Sequence, residues 1–320
     1  MESEQTMSHL QLKEKKSVSE LFGGSVPHQV DVLVGSHNTP GIISTYKIRD
    51  TLRGDMLYWL FGPKDNLYIH GPTGAGKSSL VEQTAARLGR EVFKVSCHER
   101  MEFMDFTGLY IKGGHEFVEG PLVQAMKRGG LALFDEMDQL PPSTLIGLNG
   151  VLDGKPLLVP ETGELIEPHP LFRIVGTGNS AGSGDISRNY KSVKAQNVAL
   201  LDRFTSLVVG YMEPDEELQV LQATIVQKDG TPALDDEIAR AMIRVAGDVR
   251  DLFLNSRETG MNHTITTRTL LRWAQRAVAF AAVASHPVMD ALAPAFLNRL
   301  SPDQAESVEG ICMREFGRNL

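Results

Sequence analysis

Residues 71–79, GPTGAGKSS, constrain the fold of this chain more than any other stretch. They have the spacing Gly-x4-Gly-Lys-Ser, they follow the apolar run 67–69, and they precede a helical pattern over 79–88. Glycines let the backbone bend so that successive N–H groups face one anion, and the following helix brings its positive end to the same place. The segment therefore predicts a strand, a phosphate-binding loop and a helix, with a chance glycine-rich turn as the alternative.

The loop residues expected to contact the nucleotide do so through backbone N–H groups that face the phosphates, and all but one lysine have short side chains. They are Gly71, Thr73, Gly74, Ala75, Gly76, Lys77, Ser78 and Ser79. Lys77 is expected to reach the β and γ phosphates of ATP, and the Ser78 hydroxyl to hold Mg²⁺.

The bulk composition is that of an ordinary globular protein, with 42% hydrophobic and 22% charged residues in a chain of 320. The net charge of −8 argues against general nucleic-acid binding, although it does not exclude a basic pore in a ring. The two cysteines imply no disulfide framework, which fits a cytoplasmic location. No apolar run approaches the length of a membrane span, and the polar N-terminus has no signal core.

Apolar runs alternate with helical patterns in the first two thirds of the chain, and only helical patterns follow. Near-continuous apolar strands separated by helices predict an α/β fold with a parallel sheet between helices. We therefore expect a flexible N-terminal arm over 1–25, an α/β nucleotide-binding domain over 26–212 and a smaller all-helical domain over 213–320.

Two acids end the apolar run 131–134, and a strand end is where a phosphate-binding fold places its metal. Asp135 is expected to hold Mg²⁺, directly or through water, and Glu136 to polarise the water that attacks the γ-phosphate. The alternative is a strand followed by a polar turn. Asp138 is expected to be a neighbouring surface or capping acid.

A polar amide follows the next predicted strand, 172–177. Asn179 could hold the attacking water or touch the γ-phosphate, whereas an Asn in a loop is more often a turn residue. Thr177 is the weaker candidate for the same task.

Two arginines are candidates for contacting the nucleotide from elsewhere. Arg203 precedes the predicted fifth strand and cannot readily reach the loop of its own chain, so we expect an arginine finger that acts on a neighbour in a ring. A surface ion pair between Asp202 and Arg203 is the alternative. Arg268 lies near the start of the predicted helix 264–283 and could lean over the γ-phosphate.

Two inserts interrupt the alternation, one near 98–120 and one near 155–168. The second predicts a hairpin around Thr162-Gly163. Both could project toward a pore or a partner, and ordinary surface decoration is the alternative.

The chain resembles the AAA+ ATPases of the MoxR group, most of all the cobaltochelatase small ATPase subunit (CobS type) and the CbbQ/NorQ-type activators. The resemblance is carried by GPTGAGKSS, LALFDEMD, PHPLFRIVGTGN and GSGDISRNY…AQNVALLDRF. It implies a P-loop core with strand order 5-1-4-3-2, a helical lid, and a homo-hexameric ring with ATP at the subunit interfaces.

The resemblance also implies residue roles and a partner. Gly74, Gly76, Lys77 and Ser78 would bind phosphate and Mg²⁺, Asp135 would be the metal acid, Glu136 the catalytic acid, Asn179 the first sensor, Arg203 the finger and Arg268 the second sensor. A protein with a von Willebrand factor A domain is the implied partner.

The expected function is a ring ATPase that remodels or activates a protein partner. One alternative is the ATPase motor of a cobalt- or magnesium-type chelatase. Another is a nucleic-acid-linked motor of phage or mobile-element origin.

Overall fold

The computed structural model describes residues 12–111, 116–182, 184 and 193–317. Within them the chain divides into two compact units. The first holds 12–71, 76–182, 184 and 193–209, and the second holds 72–75 and 210–317. The last change from the first unit to the second falls between residues 209 and 210.

The first unit alternates strands and helices. Its strands are β1 Leu12–Ser17, β2 Gln29–Leu33, β3 Asn66–His70, β4 Val92–Ser96, β5 Gly108–Ile111, β6 Glu116–Glu119, β7 Leu131–Asp135, β8 Leu157–Leu158, β9 Leu165–Ile166, β10 Arg173–Gly178 and β11 Phe204–Val208. Its helices are α1 Val18–Phe22, α2 Asp50–Phe61, α3 Lys77–Arg87, α4 Met104–Thr107, α5 Pro121–Arg128, α6 Pro142–Ile146, α7 Asn149–Leu152 and α8 Val198–Leu201.

Five of these strands form one parallel sheet in the order β11-β3-β10-β7-β4. Numbered among themselves along the chain, the strands have the order 5-1-4-3-2, which confirms the predicted α/β core. The register aligns the strand ends, with Val208 opposite His70 and Ser96 opposite Asp135. The segments that follow β3, β7 and β10 therefore meet at one edge of the sheet, here called the carboxyl edge.

The central strands β3, β7 and β10 are buried on both faces, which explains their continuous apolar runs. Leu131 to Phe134 and Ile174 to Val175 are almost fully buried. Helix α5 begins with Pro121, whose fixed φ suits the first helical position, and ends at Gly129 in the left-handed region (φ 70°). Local signals and burial thus agree on the length of this helix.

The N-terminal region differs from the flexible arm expected over 1–25. Strand β1 pairs with β2 in an antiparallel ribbon, and α1 follows with a capping box between Ser17 and Glu20. Val18 and Phe22 of this helix are buried. Residues 12–22 are therefore ordered secondary structure, and residues 1–11 lie outside the described range.

Both inserts contain a short antiparallel pair. In the first, β5 pairs with β6, and residues 112–115 between them lie outside the described residues. In the second, β8 pairs with β9, with Thr162 and Gly163 in the connection. Leu158 and Leu165 face each other across this second hairpin and are both exposed.

In the second unit, every element described beyond residue 210 is helical apart from one isolated bridge. The α-helices are α9 Pro214–Thr224, α10 Asp236–Leu254, α11 Ser256–Thr259, α12 Thr267–Phe280, α13 Pro287–Ala295 and α14 Pro302–Phe316. They pack around Trp273, which is fully buried and donates from its ring N–H to the Val288 carbonyl at 2.8 Å. Glu217 and Arg250 form a buried ion pair inside this unit, at 2.7 Å.

Candidate functional site

The phosphate loop connects β3 to α3 as the sequence predicts. Gly76 caps the helix in the left-handed region (φ 89°), so that Lys77 is the first helical residue. At Gly71 (φ 150°) an added Cβ would lie 2.1 Å from the Val209 carbonyl oxygen, and only glycine fits there. The first turn of α3, which includes Ser79, leaves N–H groups without helical carbonyl partners beside the loop.

The Lys77 ammonium lies inside the site. It donates to the Gly71 carbonyl at 2.8 Å and to the Asn179 side-chain oxygen at 2.9 Å. Burial lowers the pKa of Lys77 to about 8, against the opposing effect of the charges of Asp138, Asp135 and Glu136. The structure thus brings together a cation and an amide that the sequence places about a hundred residues apart.

Asp135 ends β7 and collects three donors. The Ser78 hydroxyl and the Thr177 hydroxyl both donate to its Oδ1, the second at 2.7 Å, and Lys94 lies 3.0 Å from its Oδ2. Burial opposes the charged form, but the hydrogen bonds and the Lys94 ammonium hold the pKa of Asp135 below its usual range. Asp135 is therefore an ionised oxygen ligand beside the Ser78 hydroxyl.

Glu136 has an unusual backbone conformation. Its φ of 61° and ψ of 41° are left-handed, and no other non-glycine residue in the described part of the chain has a positive φ. Its N–H donates to the Thr177 hydroxyl at 3.0 Å, and its carboxylate accepts from the Gln139 amide. The left-handed turn leaves the Glu136 residue exposed directly after a buried strand.

Asp138 is not the surface acid expected from the sequence. It is fully buried, at 0% exposure, and its Oδ2 accepts the N–H groups of Asn179 at 2.7 Å and Ser180 at 3.3 Å. Burial raises the pKa of Asp138, and the two N–H donors oppose this shift. The expectation was wrong because β10 returns beside the turn that follows β7 and covers this carboxylate.

Arg203 lies at the other edge of the sheet, where Phe204 pairs with Asn66 at the beginning of β11 and β3. It forms an ion pair with Asp153 at 2.8 Å, in place of the Asp202 pair considered from the sequence. The Asn66 amide donates to the carbonyls of Leu152 and Arg203, at 3.0 and 2.8 Å. The chain thus keeps Arg203 away from its own phosphate loop, as expected.

Arg268 belongs to the second unit. It is an exposed residue in the first turn of α12, after Thr266, whose hydroxyl caps the helix by accepting the Thr269 N–H at 3.2 Å. Its role as second sensor stays a prediction.

The donors at the carboxyl edge fit Mg²⁺. Ser78 and Asp135 supply a hydroxyl and an ionised carboxylate, and Mg²⁺ takes hard oxygen ligands, commonly one or two carboxylates together with substrate phosphates. The part of the chain that the structure describes contains no group of three or more His, Cys, Asp or Glu side chains that could hold a metal ion. The site therefore suits a metal that arrives with a nucleotide.

Two contacts of Asp135, with Lys94 and with Thr177, have no signal in the local sequence. Lys94 lies in the middle of β4, where an alternating pattern gives no sign that it faces Asp135. Thr177 follows Gly176 in a buried strand, and only the register with β7 reveals the Asp135 contact.

Two family models match the chain. The AAA domain of the dynein-related subfamily matches residues 66–204, and the CbbQ/NirQ/NorQ C-terminal domain matches residues 222–313. Both matched ranges agree with the two units of the structure, since the first holds the sheet and the second holds the helices.

Three curated relatives are similar over most of this chain. NorQ from Paracoccus denitrificans is 30% identical over 61% of this chain and 68% of its own length. Aerobic cobaltochelatase subunit CobS from Sinorhizobium is 28% identical over 81% and 78%. Midasin from Dictyostelium discoideum is 31% identical over 68% of this chain, which spans only 4% of midasin.

Solved structures share the fold at low identity. The crystal structure of NtrX from Brucella abortus in complex with ADP matches with a TM-score of 0.53 and 15% identity, over 86% of this chain and 64% of that one. In the described part of this chain, each helix is too short or too polar to cross a lipid bilayer.

The site geometry, the two family models and the relatives agree on one enzyme class. The loop between β3 and α3 has the nucleotide-binding geometry of an ATPase, and the acids that such an enzyme needs lie beside it. The chain belongs to the AAA+ ATPases of the MoxR type, in the group that includes CbbQ, NorQ and CobS.

Proposed function

We propose that Mg²⁺-ATP binds at the carboxyl edge and is hydrolysed there to drive the remodelling or activation of a protein partner. The observation that carries this proposal is that two adjacent residues of the phosphate loop each contact a polar side chain from the end of a neighbouring strand. Lys77 contacts the Asn179 amide, and Ser78 contacts Asp135. A lysine, an amide, a hydroxyl and a carboxylate at a glycine-rich loop match the parts that phosphoryl transfer requires.

Each residue has a distinct task in this proposal. The loop N–H groups from Gly71 to Ser79 hold the phosphates, Lys77 stabilises negative charge on the γ-phosphate, and Ser78 and Asp135 hold the metal. When bound, Mg²⁺ would supply positive charge that stabilises the negative charge of the phosphates. Glu136 is exposed and close to this point, so it serves as the base that takes the proton of the attacking water.

The site is completed by a second subunit. Arg203 is on the opposite edge of the sheet from its own phosphate loop, so a copy of this chain must supply it. A homo-hexameric ring with a nucleotide at each interface meets this requirement. Arg268 keeps the role of second sensor in this proposal on the strength of the resemblance alone.

Mixing two inactive variants tests the shared site. Glu136→Gln removes the base and keeps Arg203, whereas Arg203→Ala removes the finger and keeps Glu136. We expect each variant to bind ATP and to lose at least about a hundredfold in turnover. A mixture of the two is expected to regain part of the wild-type turnover, because some interfaces then combine an intact base with an intact finger.

A mixture that stays as inactive as the separate variants, although the subunits exchange, would show that Arg203 does not act in trans. Exchange is checked with fluorescently labelled subunits. Loss of ATP binding in Glu136→Gln would contradict the division between binding and hydrolysis.

The partner is proposed from the family. The match to the CbbQ/NirQ/NorQ C-terminal domain and the similarity to NorQ favour the activator role over a chelatase motor, which the CobS similarity keeps as the second candidate. We expect ATP-bound Glu136→Gln assemblies to retain a purified von Willebrand factor A-domain protein encoded with this chain, and Lys77→Ala protein to release it. Metal insertion that depends on added chelatase subunits would favour the second candidate instead.

A further inference from the structure

Asp138 is a buried carboxylate in the site to which the proposed function gives no task. It is at the second position of the 3-10 turn Met137–Gln139, which directly follows Glu136. A buried ionisable group costs folding free energy unless it is hydrogen-bonded. Its Oδ2 has two N–H donors, yet its Oδ1 is buried without a hydrogen-bond partner among the described residues.

Both of its donors belong to the segment that follows β10. The Asn179 N–H lies 2.7 Å and the Ser180 N–H 3.3 Å from the same carboxylate oxygen. The Ser180 carbonyl accepts from the Tyr68 hydroxyl of β3 at 2.9 Å. The backbone around Asn179 is therefore fixed from two neighbouring strands, with the carboxylate making the shorter contact.

The backbone of Asp138 is itself anchored. Its carbonyl accepts the Lys194 N–H at 2.9 Å and the Gln196 side-chain amide at 3.2 Å. The carboxylate is thus a fixed point, since the turn that carries it is tied to the segment before α8 as well as to β7.

The far end of the same arrangement is the Lys77 ammonium. The Asn179 side-chain oxygen accepts from Lys77 Nζ at 2.9 Å, while the N–H of the same residue is held by Asp138. A side chain can aim an amide accurately only when its own backbone is held, because catalytic geometry tolerates displacements of about half an ångström.

We propose that Asp138 is a positioning residue for hydrolysis, which holds the Asn179 backbone so that the Asn179 amide stays on Lys77 and faces the attacking water. The inference rests on the proposed role of Asn179. In this arrangement Asp138 acts on turnover through the Asn179 backbone that it holds, beside the effect of its charge on Lys77. Asp138 then belongs to the working site, although it is itself fully buried.

A double-mutant cycle on the assembled enzyme tests this. Asp138→Ala and Asn179→Ala are each expected to lower kcat by at least about tenfold, with the ATP dissociation constant changed by less than about threefold. The double variant is expected to match the worse single variant within about twofold, because both changes remove one interaction. Multiplying effects would overturn the inference and leave the role of Asn179 intact, whereas an unchanged kcat in Asn179→Ala would overturn both.

A second variant keeps the test valid where Asp138→Ala fails to fold. Asp138→Asn places an amide oxygen at the position of Oδ2, where it can accept the same two N–H groups. Its NH2 group takes the position of Oδ1, which has no hydrogen-bond partner among the described residues. We expect it to retain kcat within about threefold. A loss of kcat in Asp138→Asn as large as that in Asp138→Ala would overturn the positioning role. If Asp138→Ala does not fold, the loss in Asn179→Ala takes its place in this comparison.

The matched control is Glu217, which is also fully buried and lies in the helical unit. Glu217→Ala is expected to lower the melting temperature, and its effect on kcat is expected to multiply with that of Asn179→Ala. Coupling of Glu217 with Asn179 as strong as that of Asp138 would show that the cycle reports general loosening, which would overturn the inference.

Discussion

Lys77 and Asp135 at the carboxyl edge of the parallel sheet are held differently from two buried arginines at the opposite end of the strands, here called the amino edge. Lys77 donates to the Asn179 amide, and Asp135 accepts from two side-chain hydroxyls. At the amino edge, Arg90 and Arg173 are 5% and 7% exposed, and their described hydrogen bonds all end on backbone carbonyls. The first arrangement presents charge to a ligand, and the second closes the fold.

The amino-edge arginines show how a charge can be confined. Arg173 donates to the carbonyls of Trp59, Leu60 and Gly62 at the end of α2 and to those of Pro170 and Phe172. Burial lowers the pKa of Arg173 and lowers that of Arg90 to about 9, with Arg173 adding to the second shift. The described hydrogen bonds of Arg173 use its Nε and both terminal nitrogens on backbone carbonyls, which leaves none of them for a phosphate.

The comparison teaches that burial of a charged group does not by itself mark a functional site. What distinguishes Lys77 and Asp135 from these two arginines is that their described partners include polar side chains. This difference can be tested by changing one residue at each edge.

The largest effect is expected from Lys77→Ala at the carboxyl edge. The variant loses the ammonium that would contact the γ-phosphate, so ATP affinity should fall by about a hundredfold or more while the fold is retained. Titration with a fluorescent ATP analogue measures this. Lys64→Ala, on the loop before β3 at the amino edge, is the control and should bind ATP like the wild type. Equal losses in the two variants would remove the contrast between the edges.

A smaller effect, on stability alone, is expected from Arg173→Leu. Five backbone carbonyls lose a donor, and the free energy of unfolding should fall by about 3 kcal/mol, with ATP affinity unchanged. Urea denaturation gives the first quantity. The same replacement at Arg276, an exposed position on α12, should leave the unfolding curve unchanged. A variant that stays fully stable but binds ATP poorly would assign Arg173 to the site.

The smallest effect concerns Glu91, which precedes β4 at the amino edge. Burial works against its charged form, but hydrogen bonds from Arg128, at 2.8 Å from Nε, and from Ser36 hold the pKa of Glu91 below its usual 4.5. A carboxyl whose pKa is lowered by folding adds stability above about pH 4.5, and this contribution disappears as the pH falls through the folded-state pKa. Glu91→Gln should therefore cost about 1 kcal/mol at neutral pH and less near pH 4.

Urea denaturation of both proteins at the two pH values checks the sign. Arg128→Met removes the partner of Glu91 in the same ion pair. The difference in unfolding free energy between this variant and the wild type should also become smaller as the pH falls. A difference that grows as the pH falls would contradict the direction given for Glu91.

The residues of the carboxyl edge can largely be predicted from local sequence. The phosphate loop and the acids Asp135 and Glu136 follow from residue types at short spacing, and the structure places them together. The strand order did not follow from periodicity, since it came from the family resemblance and is confirmed by the sheet.

Contacts between distant segments could not be predicted. Asp138 and Asn179 are 41 residues apart, and Arg203 and Asp153 are 50 apart, so neither pairing follows from residue types at short spacing. Strand β1, LKEKKS, has no apolar alternation because it pairs at an exposed ribbon, and this is why 1–25 read as an arm. Backbone hydrogen bonds between strands need no apolar side chain, so a search for hydrophobic alternation does not detect such a strand.

The left-handed backbone of Glu136 sets a trade-off for any attempt to make this protein more robust. A side chain at φ 61° carries a conformational penalty of about 1 kcal/mol that glycine would avoid. A screen that rewards heat resistance alone should therefore enrich glycine at position 136 and discard the base. Stabilising designs for this enzyme should hold that one position constant and look for their gains elsewhere.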